Sequence, residues 1–174
     1  MPIQAEGLPR KLADPFDMGG GHIDPDRAVD PGLVYDMDPI EYTKFFRCTL
    51  DAKDDCDSYM GWLYQLNLPS IAVPDLEGSV TVSRTVTNVG PAAATYRVAV
   101  EAPAGVDVSV EPEVMTFTTD GSKNATFKVT FTARRMVQGV YTFGSLAWSD
   151  GGVHSVRIPV AVRPVIEDFV ADVS

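Results

Sequence analysis

From Leu66 onward the chain alternates apolar and polar residues with a period of two, and few folds accept that pattern. Residues 79–87 set Val80, Val82 and Val86 on one face and Thr81, Ser83, Thr85 and Thr87 on the other. Tyr96, Val98 and Val100 alternate with Thr95, Arg97 and Glu101, and Val106, Val108 and Val110 repeat the rhythm. Phe127, Val129 and Phe131 alternate with Lys128, Thr130 and Thr132. Leu146 and Trp148 end a strand that starts near Val140, and Val156, Ile158, Val160 and Val162 face away from Ser155, Arg157 and Arg163. Residues two apart in a strand share a face, so each segment has one side to bury and one to wet. Asn88-Val89-Gly90-Pro91, Pro103-Ala104-Gly105, Asp120-Gly121 and Asp150-Gly151-Gly152 are turn signals between them. Roughly seven short strands at this spacing predict an antiparallel β-sandwich. Pro159 has no N–H to give a ladder, which predicts an edge position or a bulge for the last strand.

The residues before Leu66 have a different texture, rich in Asp, Pro and Gly with short helical signals. Asp24-Pro25 reads as an N-cap with proline in the first helical position, and predicts a short helix to about Val29. Pro31-Gly32 breaks it, and Leu33-Val34-Tyr35 is a short extended run. Asp38-Pro39 with Glu41 resembles a capping box, and Tyr42, Phe45 and Phe46 follow at helical spacing, predicting an end near Arg47. Gly19, Gly20 and Gly21 allow close approach of backbone to neighbours. Ile3, Leu8, Phe16, Ile23, Leu33, Tyr35 and Phe45 have no complete core of their own and need a surface to cover them. Weak stability or disorder is expected for residues 1–15.

Net charge is −10 over 174 residues. That balance argues against nucleic acid and anionic membrane surfaces as partners. No run of about 18 apolar residues is present, so no spanning helix is expected, and the polar first residues do not read as a signal peptide. His22 sits beside glycines and reads as a satisfied loop imidazole; His154 reads as an exposed turn residue. Asp24, Asp26, Asp30, Asp36 and Asp38 cluster in sequence but lack the EF-hand spacing, so they read as caps and solvated carboxylates rather than metal ligands. Zinc spacing is not met, and no P-loop lysine follows the glycines, so no metal and no cofactor are expected. Cys48 and Cys56 bracket an acidic loop: either a disulfide closes it, constraining the unfolded chain by roughly 2.5 kcal/mol, or two inert thiols stand there. Asn124-Ala125-Thr126 is an N-glycosylation sequon, with Asn124 on the polar face of its strand.

Four segments carry a resemblance: ADPFDMGGGHIDPDRAVDPGLVYD (13–36), LNLPSIAVP (66–74), RTVTNVGPAAATYRVAVEAPAGVDVSVEP (84–112) and FGSLAWSDGGVHSVRIPVAV (143–162). In this order they resemble the C-terminal portion of plant subtilisin-like serine proteases. Leu68, where that family commonly has Tyr, and Gly20, where it often has Ala, are mild departures. The resemblance implies a remnant of a subtilisin-type α/β catalytic domain over residues 1–65, a fibronectin type III-like sandwich over 66–164, and a tail over 165–174. It implies an extracellular setting, in the apoplast or cell wall, which favours the Cys48–Cys56 bond and use of Asn124.

The family's serine lies in a Gly-Thr-Ser-Met-Ala motif, and no such pentapeptide occurs here. Ser145 in FGSLA is the nearest look-alike, placed mid-strand rather than at a helix start. The family's aspartate, histidine and oxyanion asparagine lie further upstream still. Without nucleophile and base no catalytic residue is expected on this chain. The expectation is a non-catalytic accessory portion that packs on a subtilisin-like catalytic domain and stabilises it. The alternative is a stand-alone binding module whose loops recognise a protease, an inhibitor or a receptor.

Overall fold

In the computed structural model, residues 4–5, 11–50, 63–134 and 139–165 are described. Two four- to five-residue helices, α1 (Pro15–Met18) and α2 (Pro25–Val29), precede a short strand, β1 (Leu33–Val34), and a longer helix, α3 (Pro39–Leu50). A 3-10 turn at Leu63–Gln65 leads into β2 (Ile71–Leu76), β3 (Ser79–Asn88), β4 (Ala94–Glu101), β5 (Val106–Glu111), β6 (Val114–Phe117), β7 (Asn124–Ala133), β8 (Thr142–Ser149) and β9 (Ser155–Pro164). The strands form two sheets, ordered β1-β3-β7-β5 and β2-β9-β8-β4-β6. The expected sandwich is there, with one departure from antiparallel pairing: β2 runs parallel to β9. β2 and β6 are additional to the strands read from alternation, β2 because Pro74 and Asp75 interrupt it and β6 because it is only four residues long.

The inner faces hold the apolar half of the alternation. Val82 and Val86 of β3, Phe127, Val129 and Phe131 of β7, and Val106 and Val110 of β5 come from one sheet. Tyr96, Leu146, Trp148, Ile158, Val160 and Val162 come from the other. Phe127 meets Trp148 edge-on across the gap at 5.1 Å between ring centroids, a favoured aromatic geometry. The outer face of the β3–β7 ladder is a row of hydroxyls: Thr81 with Thr130 at 2.9 Å, Thr85 with Thr126 at 2.8 Å, and Ser79 with Thr132 at 3.1 Å. Such cross-strand pairs are each worth roughly 0.2–1 kcal/mol and help fix the register.

β9 is not an edge strand. It lies between β2 and β8 and is buried on both faces, with Ile158, Pro159, Val160, Ala161 and Val162 all in the interior. Pro159 is accommodated because the β2 ladder starts only at Ile71 opposite Val160, one residue further along.

The segment before the sandwich is built into it. Leu33 and Val34 pair with Asn88 and Thr87 at the margin of β3, and Leu33 is 1 % exposed in the common core. Beyond this two-residue strand, side chains take over the rest of the β3 edge. Asn67 accepts the Thr85 N–H at 2.8 Å and donates to the Thr85 carbonyl at 2.9 Å, as a neighbouring backbone would, and Gln65 donates to the Thr81 carbonyl. α2 starts and stops as expected; α3 runs three residues past Arg47, to Leu50. α1 was not expected, although Asp14-Pro15 carries the same signal as Asp24-Pro25, and Asp14 with Asp17 completes a capping box. The expectation for residues 1–15 falls largely on 1–3 and 6–10, which lie outside the described residues. The tail expected over 165–174 begins with a buried residue, Val165, whose N–H donates to the Leu76 carbonyl; the remainder lies outside the described residues.

Asn67→Ala removes both bonds to Thr85 and leaves a strand edge underpaired. It is expected to lower unfolding free energy by about 1–2 kcal/mol, read as a lower urea midpoint at unchanged slope.

Candidate functional site

The tightest polar cluster lies at the β8–β9 turn. Asp150 Oδ1 accepts the backbone N–H groups of Gly152 at 2.8 Å and His154 at 3.1 Å, which closes the turn with Gly151 at φ 78°. Asp150 Oδ2 then takes the His154 Nδ1–H at 2.7 Å. From the other side Asp30, the C-cap of α2, places Oδ2 3.2 Å from His154 Nε2. The imidazole is 7 % exposed. The hydrogen bond to Asp150, and after it the nearby Asp30 carboxylate, which lies within ion-pair reach without a well-aligned hydrogen bond, holds its pKa above the ordinary value. The His154 hydrogen bond and the Gly152 N–H in turn hold the Asp150 carboxyl below its usual range.

Gly32 is what lets the two pieces come so close. It has φ +74°, and a Cβ there would stand 2.6 Å from Tyr96 Oη and 2.7 Å from His154 Cβ. Beside the imidazole a groove of about 260 Å³ is lined by Asp24, Arg27, Asp30, Ser155 and Arg157 among others. Both imidazole nitrogens face carboxylates, so the ring serves as a hub of ion pairs. It is not presented as a base to any nucleophile. The expectation of an exposed His154 is therefore corrected: the turn folds back on α2 and encloses it.

The other residues singled out by sequence are dispersed. Ser145 is mid-strand in β8, as expected, and its hydroxyl donates to Glu101 at 2.5 Å. His22 is exposed between α1 and α2. Asp24 caps α2 through the Arg27 N–H at 3.2 Å and Asp38 accepts the Ile40 N–H at 2.8 Å, the capping roles assigned to them. Asp30 belongs to His154, and Asp36 accepts the Thr87 hydroxyl. Asn124 is exposed at the start of β7, its Oδ1 accepting from Thr87 at 2.8 Å. Cys48 lies in α3, whereas Cys56 lies outside the described residues. Gly19, Gly20 and Gly21 differ from expectation. Among the described residues nothing lies within 4 Å of a Cβ built on them, and the positive φ of Gly19 and Gly21 serves the turn after α1.

The buried Arg84 and the half-buried Asn67 have structural roles that the sequence reading does not include. Arg84 is 1 % exposed, and its guanidinium donates to the carbonyls of Leu68 (3.1 Å), Ser83 (2.8 Å) and Ser70 (3.0 Å). Burial draws its pKa down to about 10, still protonated at neutral pH, and burial pushes the phenol of Tyr35 well up. Arg84 shares parity with Val82 and Val86, so its inward face was readable. Asn67 carried no periodic signal. A second, apolar groove of about 320 Å³ runs between α1 and the start of β2, lined by Pro15, Phe16, Pro69, Ile71, Pro159 and Ala161 among others. Phe16 leans edge-on against Tyr141 at 4.9 Å and Phe143 at 5.6 Å, yet is 59 % exposed.

The family model described as the fibronectin type-III domain matches residues 65–162. Three subtilisin-like proteases of Arabidopsis thaliana align with almost the whole chain. SBT3.13 is 44% identical over 95% of this chain and 23% of its own length. SBT3.12 is 45% identical over 93% and 22%, and SBT3.16 is 40% identical over 97% and 23%. The chain thus spans under a quarter of the length of the relatives it matches, and the match falls on their C-terminal region. The two-sheet sandwich and the family match together establish that this chain belongs to the fibronectin type-III domain family, in the form found in plant subtilisin-like proteases.

Proposed function

We propose that this chain is the non-catalytic accessory portion of a secreted subtilisin-like serine endopeptidase, packing on the catalytic domain and stabilising it. The observation that carries the reading is an asymmetry of finish. The sandwich closes over its own core, while α1 and α2 bury no residue at all. Around them Ile23 is 89 % exposed and Val29 86 %, with Ile40 and Phe46 also open. The glycine run beside them is uncovered too. A contiguous partner domain accounts for apolar side chains left in water next to a completed core. The boundary belongs to the same proposal: residues 1–65 as the end of the catalytic domain, 66–164 as the sandwich and 165–174 as a tail. The family match beginning at 65 supports it, and β1 is then the stitch between the two.

Fusing nothing and simply mixing the chain with the remaining N-terminal portion of SBT3.13 tests the packing. Association is expected, with a higher melting temperature for the catalytic portion. Burial of one such side chain is worth about 1.5–3 kcal/mol, so Ile23→Asp with Val29→Asp is expected to weaken association by at least ~10-fold. Unchanged association in the double variant would contradict the reading.

The chain alone is proposed to have no peptidase activity, supported by a sequence without the Gly-Thr-Ser-Met-Ala pentapeptide and by Ser145 committed to Glu101. A fluorogenic peptide and a serine-directed covalent probe are expected to report neither turnover nor labelling. Labelling of a specific serine would overturn this.

Secretion is part of the proposal and brings two covalent features. Asn124 is exposed in a sequon and accessible for a glycan, and none of the described cysteines is free, which supports a Cys48–Cys56 bond. Protein from a secreting plant host is expected to lose one glycan mass with Asn124→Gln and to take up no alkylating agent before reduction. A full-length product without glycan, or one alkylated at Cys48 as purified, would count against it.

A further inference from the structure

We propose that His154 is a protonation-operated clasp that holds α2 against the β8–β9 turn, closed while both imidazole nitrogens carry protons and opening at Asp30 when Nε2 loses its own. The argument starts from valence. A neutral imidazole has one N–H and one lone pair, so it can donate to only one of two flanking carboxylates. His154 has a carboxylate at each nitrogen, Asp150 at 2.7 Å and Asp30 at 3.2 Å, from two different elements. Only the doubly protonated ring carries the charge that pairs with both, by a hydrogen bond to Asp150 and by ion-pair attraction to Asp30. Once one proton leaves, the remaining nitrogen turns its lone pair toward an anion.

Which side lets go follows from the surroundings. Asp150 is fixed by two backbone N–H groups and is 20 % exposed, while Asp30 is 65 % exposed and free to turn into water. The proton is therefore kept on Nδ1 and lost from Nε2. β1 stays in place, because the Gly32 carbonyl accepts the N–H groups of Val89 and Gly90 independently of the imidazole. None of the α2 residues is buried, so among the described residues no comparable second hold is seen for it.

The other charged and titratable groups around the ring are Asp24 and Arg27 of α2, Arg157 of β9 and the Tyr96 phenol of β4. Arg27 pairs with Asp24 at 3.5 Å and Arg157 approaches Glu101 at 3.9 Å, so each cation has an acid of its own. The sign of the effect follows from the raised pKa of His154. The clasp contributes fully below the ordinary histidine value of 6.5, and its contribution is lost as pH rises through the folded-state value. On the acid side Asp150, whose pKa is lowered, keeps its charge until pH falls through that lowered value. Lower pH thus keeps α2 docked, and a rise through the folded-state value frees it.

The test uses the full chain, with amide hydrogen exchange corrected for intrinsic rates and NMR titration of the His154 ring. Between pH 6 and pH 8.5, exchange in residues 25–30 is expected to rise several-fold relative to amides in β3 and β7 as the clasp loses its charge. Asp30→Asn, a change at an exposed site that leaves the core intact, is expected to lower the His154 midpoint, since the Asp30 carboxylate helps hold it up. The same variant is expected to hold α2 exchange at its fast level across the whole range while β3 and β7 stay protected. A flat pH response of α2 in the unaltered chain, or a His154 midpoint that ignores Asp30→Asn, overturns the clasp.

Discussion

A buried guanidinium organises the entrance to this sandwich. Arg84 sits on the inner face of β3 at 1 % exposure, in a position its neighbours Val82 and Val86 fill with hydrocarbon. Removing such a charge from water costs several kcal/mol unless hydrogen bonds replace the lost hydration. Here the replacements are backbone carbonyls, two of which belong to the approach to β2, at Leu68 and Ser70. The cation therefore fixes the path of the chain as it crosses from one sheet toward the other. With Ser70 pinned, Ile71 enters opposite Val160 and the parallel β2–β9 pair is in register. No carboxylate takes part in these bonds, so the arrangement does not depend on the ionisation of a partner. Its requirement is geometric: a planar fork able to reach several carbonyls at once, which lysine lacks.

The same crossing region supplies Asn67, and the two residues divide the work. Arg84 secures the linker from inside and Asn67 seals the β3 edge from outside. An open edge invites pairing with another chain, and a side-chain amide bonded to both backbone groups of Thr85 removes that opportunity locally. β1 does the same job two residues further along. The short strand, the asparagine and the glutamine make one composite edge from non-consecutive residues. The segment preceding the sandwich is consequently joined to it by main-chain pairing at Leu33 and Val34, by close contact at Gly32 and by charge at Asp30.

Legibility in the sequence followed the locality of the cause. Strand faces were readable wherever a period of two was uninterrupted, as in Phe127, Val129 and Phe131, because pleat geometry is a property of adjacent residues. Helix starts at Asp24 and Asp38 were readable for the same reason. The parallel β2–β9 pair was not, since it depends on residues about ninety positions apart and leaves no local trace. Pro159 misled because its rule concerns the presence of a partner on one side, and β2 happens to begin one residue later. His154 misled because a turn residue is exposed by default, and its burial comes from a distant element folding over it. Arg84 runs against composition for a different reason: parity places it inside with Val82 and Val86, whereas a charged residue is ordinarily on the wetted face. The capping roles of Asp24 and Asp38, by contrast, were readable, because an N-cap satisfies nearby N–H groups and needs nothing beyond its own turn.

The closed sandwich and the open helices differ in what holds each in shape. A sandwich with Trp148, Tyr96, Phe127 and Phe131 fully enclosed is a rigid body that holds its shape without a partner. α1, α2 and α3 are too short or too exposed to hold theirs by propensity alone, since isolated helices under about 12–15 residues are marginal in water. They are positioned instead by contacts with the sandwich: Phe16 on Tyr141 and Phe143, Asp30 on His154, and the Asp36 backbone and carboxylate on Asn67 and Thr87. These contacts use the inward side or the termini of each piece and leave Ile23, Val29 and Ile40 facing out. A platform of this kind presents apolar side chains in a preset arrangement, so a partner that covers them spends little on ordering them.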